Sequence, residues 1–276
     1  MNTSTLVKKY FREEKLPHIW CPGCGHGVVM HAVVRAIDNL QVDPTKICIV
    51  SGIGCSSRAS GYMNFNTLHT THGRALAFAT GIKMANPELE VLVLTGDGDC
   101  SAIGGNHLIH AARRNIDITT IAFNNNIYGM TGGQYSPTTC TGDYGTTAPY
   151  GNIDKTFDLC DLAKAAGATY VGRSTAYYAK QLTTLIENAI RNKGFSFIEA
   201  VSSCPTYYGR KNRKGDAVEM MQHLKDDYID IKIAQKKPEL AESKILMGEF
   251  YNEPDEEYTD KYQKIIDLLK KETHNG

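Results

Sequence analysis

Two stretches combine residue types that bind charged groups. Leu94-Thr-Gly-Asp-Gly-Asp-Cys-Ser-Ala-Ile-Gly-Gly105 ends an apolar run in a glycine-rich turn that opens a helix. Such a turn exposes backbone N–H groups, and the helix terminus that follows favours anions, so phosphate oxygens fit there. Asn124-Asn-Asn-Ile-Tyr-Gly129 comes next, with Asn125 lying 28 residues beyond Asp97. A strand, a crossover helix and a parallel strand return the chain to the same sheet edge, about 4.8 Å away between neighbours. Asp97 and Asn125 then point into one crevice. A carboxylate, an amide oxygen and a backbone carbonyl, completed by diphosphate oxygens, make an octahedral magnesium shell.

The second set is sulfur. Trp20-Cys-Pro-Gly-Cys-Gly25 holds a C-x2-C pair, which alone reads as half a zinc site, a redox pair or an iron–sulfur loop. Cys55 follows Lys46-Ile-Cys-Ile-Val50 through Ser-Gly-Ile-Gly, and Cys204 follows Phe195-Ser-Phe-Ile-Glu-Ala-Val201 through Ser-Ser. Both sit at carboxyl ends of expected strands, on the edge that carries Asp97, so four thiolates converge beside the magnesium site. Four cysteines suit zinc or a [4Fe–4S] cluster, and ligand count does not choose between them. Of the eight cysteines, Cys48, Cys100, Cys140 and Cys160 read as packing residues.

The elements that position these residues alternate. The two runs just named, with Glu90-Val-Leu-Val-Leu94 and Ile118-Thr-Thr-Ile-Ala-Phe123, are short, apolar and partly β-branched, as strands covered on both faces are. Helical patterns fill 27–39, 73–85, 102–114, 158–166 and 176–192, with Asp158 and Thr175 as expected N-caps of the last two. Alternation of this kind predicts a doubly wound, mainly parallel α/β sheet with ligands at the carboxyl ends of its strands. Residues 124–152, rich in Gly, Thr, Asn and Pro, are too long for an ordinary connection and read as a functional loop.

Composition sets the bounds. The chain has 276 residues, 42% hydrophobic and 22% charged, with thirty basic against thirty acidic side chains. That supports a sizeable core, excludes wholesale disorder and argues against a chain that coats nucleic acid. No apolar run approaches the roughly 20 residues of a membrane span. Residues 1–15 lack the apolar stretch of a secretory signal, so a cytoplasmic location with reduced thiols is expected. Of the 60 charged side chains, 28 lie in 210–276, which divides the chain into a core domain, 1–215, and a polar, partly helical extension, 216–276.

The Gly-Asp-Gly turn with its Asn cluster resembles the thiamine diphosphate-binding motif. That resemblance implies Asp97, Asn125 and the Ile127 carbonyl as magnesium ligands, with Gly98, Asp99, Gly129 and Thr131 lining the diphosphate. Beside such a cofactor an electron acceptor has an evident use, which favours the cluster over zinc. Trp20-Cys-Pro-Gly-Cys-Gly-His26, Ser51-Gly-Ile-Gly-Cys-Ser-Ser-Arg58, His69-Thr-Thr-His-Gly-Arg74, Gly96-Asp-Gly-Asp99, Thr131-Gly-Gly-Gln-Tyr-Ser-Pro-Thr138 and Cys204-Pro-Thr-Tyr-Tyr-Gly-Arg-Lys-Asn212 complete the pattern. Together, over about 17–215, they resemble the beta subunits of 2-oxoacid:ferredoxin oxidoreductases, and the Gly-Arg-Lys-Asn stretch looks most like the 2-oxoglutarate-using members.

The resemblance implies a [4Fe–4S] cluster on Cys21, Cys24, Cys55 and Cys204. It adds Ile53, Gly54, Cys55, Ser56, His72 and Gly73 to the thiamine contacts and offers Arg58 and Met130 to the substrate. It implies oxidative decarboxylation of a 2-oxoacid with coenzyme A as co-substrate, electrons passing to ferredoxin, and the reverse carboxylation. The activating glutamate is expected on an obligate alpha subunit, in an assembly of two alpha and two beta chains or one with further small subunits. No nucleic acid or membrane partner is expected. Arg210, Lys211 and Arg213 read either as a guide for acidic ferredoxin or coenzyme A phosphates or as a solvated face. One departure stands out: where some relatives carry a coenzyme A-linked lysine, this chain has Gly132. Three other readings stay open: a pyruvate or broad-range enzyme of the same family, a non-redox thiamine decarboxylase or synthase subunit with structural zinc, and an electron-transfer protein that holds a cluster without catalysis.

Overall fold

The computed structural model describes residues 2–274; residue 1 and residues 275–276, the outer ends of the two spans read from composition, lie outside it. In chain order the helices are α1 (Thr3–Tyr10), α2 (His26–Leu40), α3 (Ala59–Tyr62), α4 (Ala75–Ala85), α5 (Gly105–Arg114), α6 (Leu159–Ala165), α7 (Ala179–Arg191), α8 (Ala217–Asp226), α9 (Ile231–Lys236) and α10 (Tyr258–His274). The strands are β1 (Ile47–Ser51), β2 (Asn66–His69), β3 (Glu90–Gly96), β4 (Thr119–Asn124), β5 (Ile127–Tyr128), β6 (Gln134–Tyr135), β7 (Tyr170–Thr175), β8 (Ser196–Val201), β9 (Tyr228–Asp230) and β10 (Ile245–Asn252).

Eight strands form one sheet in the order β2-β1-β3-β4-β8-β7-β10-β9. Every pairing is parallel except that of β10 with β7. Strand side chains alternate between faces, and the core divides accordingly. Ile47, Ile49, Leu92, Leu94, Ile121 and Phe123 pack with α1, α2 and α7. Val50, Val91, Val93, Ile118 and Ala122 pack with α4, α5 and α6. This is the expected three-layered α/β architecture. Among the described residues, no helix is long and apolar enough to cross a membrane.

Register positions the site. Ser51 pairs with Leu94, Gly96 with Phe123 and Asn124 with Val201, so β1, β3, β4 and β8 end together on one rim. Cys55, Asp97, Asn125 and Cys204 follow those four adjacent strands in that spatial order. Asp97, after Gly98, and Cys204, at once, lead into π-helical turns, Asp99–Ile103 and Pro205–Gly209, a local widening common at functional sites.

One sequence expectation needs correction. Asp158 caps α6, accepting from the Cys160 and Asp161 N–H groups, but Thr175 caps nothing. It ends β7, its hydroxyl donates to the Leu224 carbonyl, and α7 begins after Tyr178 without a side-chain cap. The long loop contains the β5–β6 hairpin, and its hydroxyls Ser136, Thr138 and Thr139 are buried and hydrogen-bonded. Beyond Gly215 the chain adds β9 and β10 to the sheet. It also supplies α8, opened by a reciprocal Asp216–Glu219 capping box, whose Met220 packs with Ile127, Cys204 and Tyr208.

Candidate functional site

At the end of β3 the Asp97 side chain is 3% exposed. Its Oδ2 accepts hydrogen bonds from Ser136 Oγ at 2.5 Å and Thr138 Oγ1 at 2.7 Å, both from the long loop. Burial pushes the carboxyl up to about 6 against the opposing pull of those hydroxyls. Thr138 also lies 2.9 Å from Asn124 Oδ1, which accepts the Asn126 N–H at 3.0 Å, and Asn124 Nδ2 donates to Glu199 Oε1 at 2.6 Å. Glu199 in turn pairs with Arg173 at 2.6 Å. The buried network therefore fixes both the Asp97 carboxylate and the turn that presents Asn125 and Ile127.

One cavity is lined by Asp97, Asn125 and Ile127 together with Ile53, Gly54, Cys55, Ser56, His72, Gly98, Asp99, Gly129, Met130 and Thr131. Arg58 is exposed and lies outside this lining. Gly73 lies outside it too, and its N–H donates to Asp99 Oδ1 at 2.7 Å. Asp99 borders the cavity, yet its carboxylate is occupied. Oδ1 also takes His72 Nδ1 at 2.5 Å and the Ile53 N–H at 3.3 Å, while Oδ2 takes Thr95 Oγ1 at 2.7 Å. Asp99 thus straps the segments after β1 and before α4 to the end of β3. Gly52 is required there, since a Cβ would lie 2.0 Å from Asp99 Oδ2.

A second cavity, of about 230 Å³, is lined by Cys21, Cys24, Cys55 and Cys204, and shares His26, Cys55, Asn125, Gly129 and Met130 with the first. Local bonds stitch its walls. Trp20 Nε1 donates to the Cys55 carbonyl at 2.7 Å, and the Ser203 N–H donates to the Cys24 carbonyl at 3.0 Å. Gly25, at φ +83°, turns the chain sharply into α2, and a Cβ there would lie 2.9 Å from the Ala176 Cβ. Gly129 separates two of the sulfurs: a Cβ on it would lie 3.4 Å from Cys55 Sγ and 3.6 Å from Cys204 Sγ.

Burial pushes the Cys24 and Cys55 thiols up to about 11 and raises that of Cys204. Backbone N–H groups work in the opposite direction, His26 on Cys24, Met130 on Cys55, and Tyr208 with Tyr207 on Cys204. Desolvated sulfurs ringed by N–H donors suit thiolates neutralised by a bound cation. Cys48, Cys100 and Cys160 are buried elsewhere, and Cys140 is exposed.

Two residues of this junction carried no assignment from sequence. Tyr128 lines the first cavity, with its ring where a Gly98 side chain would be and its hydroxyl donating to the Gly98 carbonyl at 3.1 Å. His26 was visible only as the end of the Cys-Pro-Gly-Cys-Gly-His run.

Comparison with known proteins identifies the family. Residues 52–200 match the family described as thiamine pyrophosphate enzyme, C-terminal TPP binding domain. The chain is 54% identical over 260 residues to a 2-oxoglutarate synthase subunit KorB of Methanothermobacter thermautotrophicus, covering 94% of this chain and 91% of that one. It is 53% identical over 265 residues to the KorB subunit of Methanocaldococcus jannaschii, covering 96% and 98%. Among solved structures, a 2-oxoglutarate:ferredoxin oxidoreductase from Magnetococcus marinus with 2-oxoglutarate, coenzyme A and succinyl-CoA bound superposes with a TM-score of 0.85 at 34% identity, over 95% of this chain and 90% of that chain.

Proposed function

The chain belongs to the family of 2-oxoacid:ferredoxin oxidoreductase beta subunits, oxidoreductases with a thiamine diphosphate-binding domain, and from that membership we propose a specific division of labour. With an alpha subunit it converts 2-oxoglutarate and coenzyme A to succinyl-CoA and carbon dioxide, passing two electrons, one at a time, through a [4Fe–4S] cluster to ferredoxin. With strongly reduced ferredoxin the same steps run as a carboxylation. The observation that carries the reading is the pair of adjoining cavities, one bordered by Asp97, Asn125 and Ile127 and the other by four cysteines, with Cys55, Asn125, Gly129, Met130 and His26 common to both.

The residues fit the groups. Asp97, the Asn125 amide oxygen and the Ile127 carbonyl would hold Mg2+ with the cofactor's diphosphate. Thiamine diphosphate, when bound, supplies the electron sink for decarboxylation. The protein's part is to hold the ion's ligands in register, exclude water and keep the two cavities in contact. Ile53, Gly54, Ser56, His72, Gly98, Gly129 and Thr131 border the cofactor's space, Met130 faces the substrate, and Asp99 acts through His72 and the loops it straps. Arg58, exposed outside this cavity, is assigned to a substrate path completed by the partner. The carboxylates lining the cavity are Asp97 and Asp99, both engaged, so the activating glutamate is assigned to the alpha subunit.

The company the sulfurs keep favours the cluster over zinc: their cavity shares residues with the one bordered by Asp97, beside which an electron acceptor has a use and a structural zinc has none. Among the described residues, the group of His, Cys, Asp or Glu ligand atoms lying within 4.8 Å of one another is Asp158, Cys160 and Glu199, which is internal packing, its carboxylates neutralised by Arg173.

Co-purification with the alpha subunit, iron and acid-labile sulfide analysis, and ferredoxin reduction with a panel of 2-oxoacids test the proposal. A complex without sulfide, or one that prefers pyruvate, would refute the cluster or the substrate respectively. Two variants sharpen it. Thr138→Val removes the hydroxyl between Asp97 and Asn124 and is expected to weaken Mg2+-dependent cofactor binding by roughly tenfold or more, read by calorimetry. Gly129→Ala puts a methyl group between Cys55 and Cys204 and is expected to lower iron occupancy while the melting temperature of the iron-free chain moves little.

A further inference from the structure

His26 is the first residue of α2, and its side chain is 2% exposed. Neither ring nitrogen has a hydrogen-bond partner among the described residues. The ring stands edge-on to Trp20 at 5.7 Å and to Phe123 at 5.3 Å, and it borders both cavities. A phenylalanine or leucine would fill such an aromatic slot without hiding two polar atoms, which buried groups rarely do without a partner. A helix N-terminus is also a poor place for a cation, so the ring is not there as a charge. In either protonation state it carries at least one N–H.

Several other donors around the sulfurs are already used. Trp20 Nε1 goes to the Cys55 carbonyl and Ser203 Oγ to the Gly23 carbonyl. Asn125 is assigned to the metal, and the backbone N–H groups of His26, Met130, Tyr207 and Tyr208 face Cys24, Cys55 and Cys204. The imidazole is a buried side-chain donor that borders both cavities and has no partner of its own among the described residues. We propose that the His26 side chain donates an N–H hydrogen bond to a sulfur of the group held by Cys21, Cys24, Cys55 and Cys204 and thereby makes that group easier to reduce. Such a bond favours the more negative, reduced state, and bonds of this kind to the sulfurs help set cluster potentials. The inference rests on the cluster reading above.

The test uses the complex purified with its alpha subunit. His26→Phe keeps the aromatic packing and loses the donor; His26→Gln returns a donor. Iron and sulfide are measured first, then the EPR-monitored redox titration. With iron content unchanged, His26→Phe is expected to lower the reduced-to-oxidised ratio at a given potential roughly tenfold, a shift of about 59 mV to more negative potential for one electron. His26→Gln is expected to recover most of it. Pulsed EPR of reduced wild type carrying histidine labelled with 15N only in the imidazole ring should show a weak nitrogen coupling even if the variants do not assemble. An unchanged potential in His26→Phe, no nitrogen coupling in the wild type, or weakened thiamine diphosphate binding at constant potential would each overturn the proposal. A wild-type complex without iron and sulfide would instead overturn the cluster reading itself.

Discussion

Asp97→Ala is expected to yield a folded chain that no longer retains Mg2+ and thiamine diphosphate. The side chain is buried at the end of β3 and supplies the charged ligand of the set. Changes in groups that merely support a metal ligand cost about 10–100-fold in affinity, so loss of the ligand itself is expected to cost at least about a hundredfold. Thermal unfolding of the ion-free chain separates this from misfolding, because the alanine leaves Ser136 and Thr138 without one acceptor but removes no apolar core. Wild type carries a related signature in pH. A proton and the ion compete for one carboxylate, which burial raises to about 6, so ion binding should weaken as pH falls through about 6. In the ion-free chain the neutral carboxyl suits its burial. Its contribution to stability is therefore present at acid pH and lost as pH rises through about 6. Full cofactor retention by Asp97→Ala would remove the magnesium assignment.

Cys204→Ala is expected to abolish ferredoxin reduction while leaving cofactor retention close to that of wild type. Cys204 is buried at the mouth of β8, where the π-helical turn Pro205–Gly209 directs N–H groups at its sulfur. No neighbouring cysteine stands ready to replace it, since Cys140 and Cys160 line other parts of the fold. A fall of more than about a hundredfold in ferredoxin reduction, with iron content reduced in parallel, is the expected result. Cys48→Ala is the control: it changes a buried packing residue in β1 and should keep its iron. Coupled activity surviving in Cys204→Ala would end the four-cysteine assignment.

Much of this rim was readable from residue order, because the ligand-bearing positions immediately follow apolar runs whose parallel pairing forces them together. What escaped has physical reasons. Strand β7, Tyr170-Val-Gly-Arg-Ser-Thr175, holds a glycine and a buried arginine, so it lacks an apolar signature; Arg173 is tolerated there because Glu199 and Asp158 pair with it. Missing that strand is what made Thr175 look like a helix cap. Edge strand β2 is half-exposed and gives no apolar run, whereas β10 is apolar in itself and was hidden by the charged segments on either side of it. The supports of Asp97 lie 39 and 41 residues away and the partner of Asn124 lies 75 away, separations at which local pattern carries no information. Asp99 was legible as a site residue but not as a strap, since a carboxylate's partners are visible only in three dimensions.

The indole hydrogen-bonded to the Cys55 carbonyl belongs to the only tryptophan in the chain. Ultraviolet emission from this polypeptide therefore originates, apart from tyrosine, at the wall of the sulfur-lined cavity and nowhere else. Assembly or oxidative loss of whatever occupies that cavity can be followed in real time as quenching or recovery of a single native indole, excited to the red of tyrosine absorption, with no label and no second tryptophan in this chain.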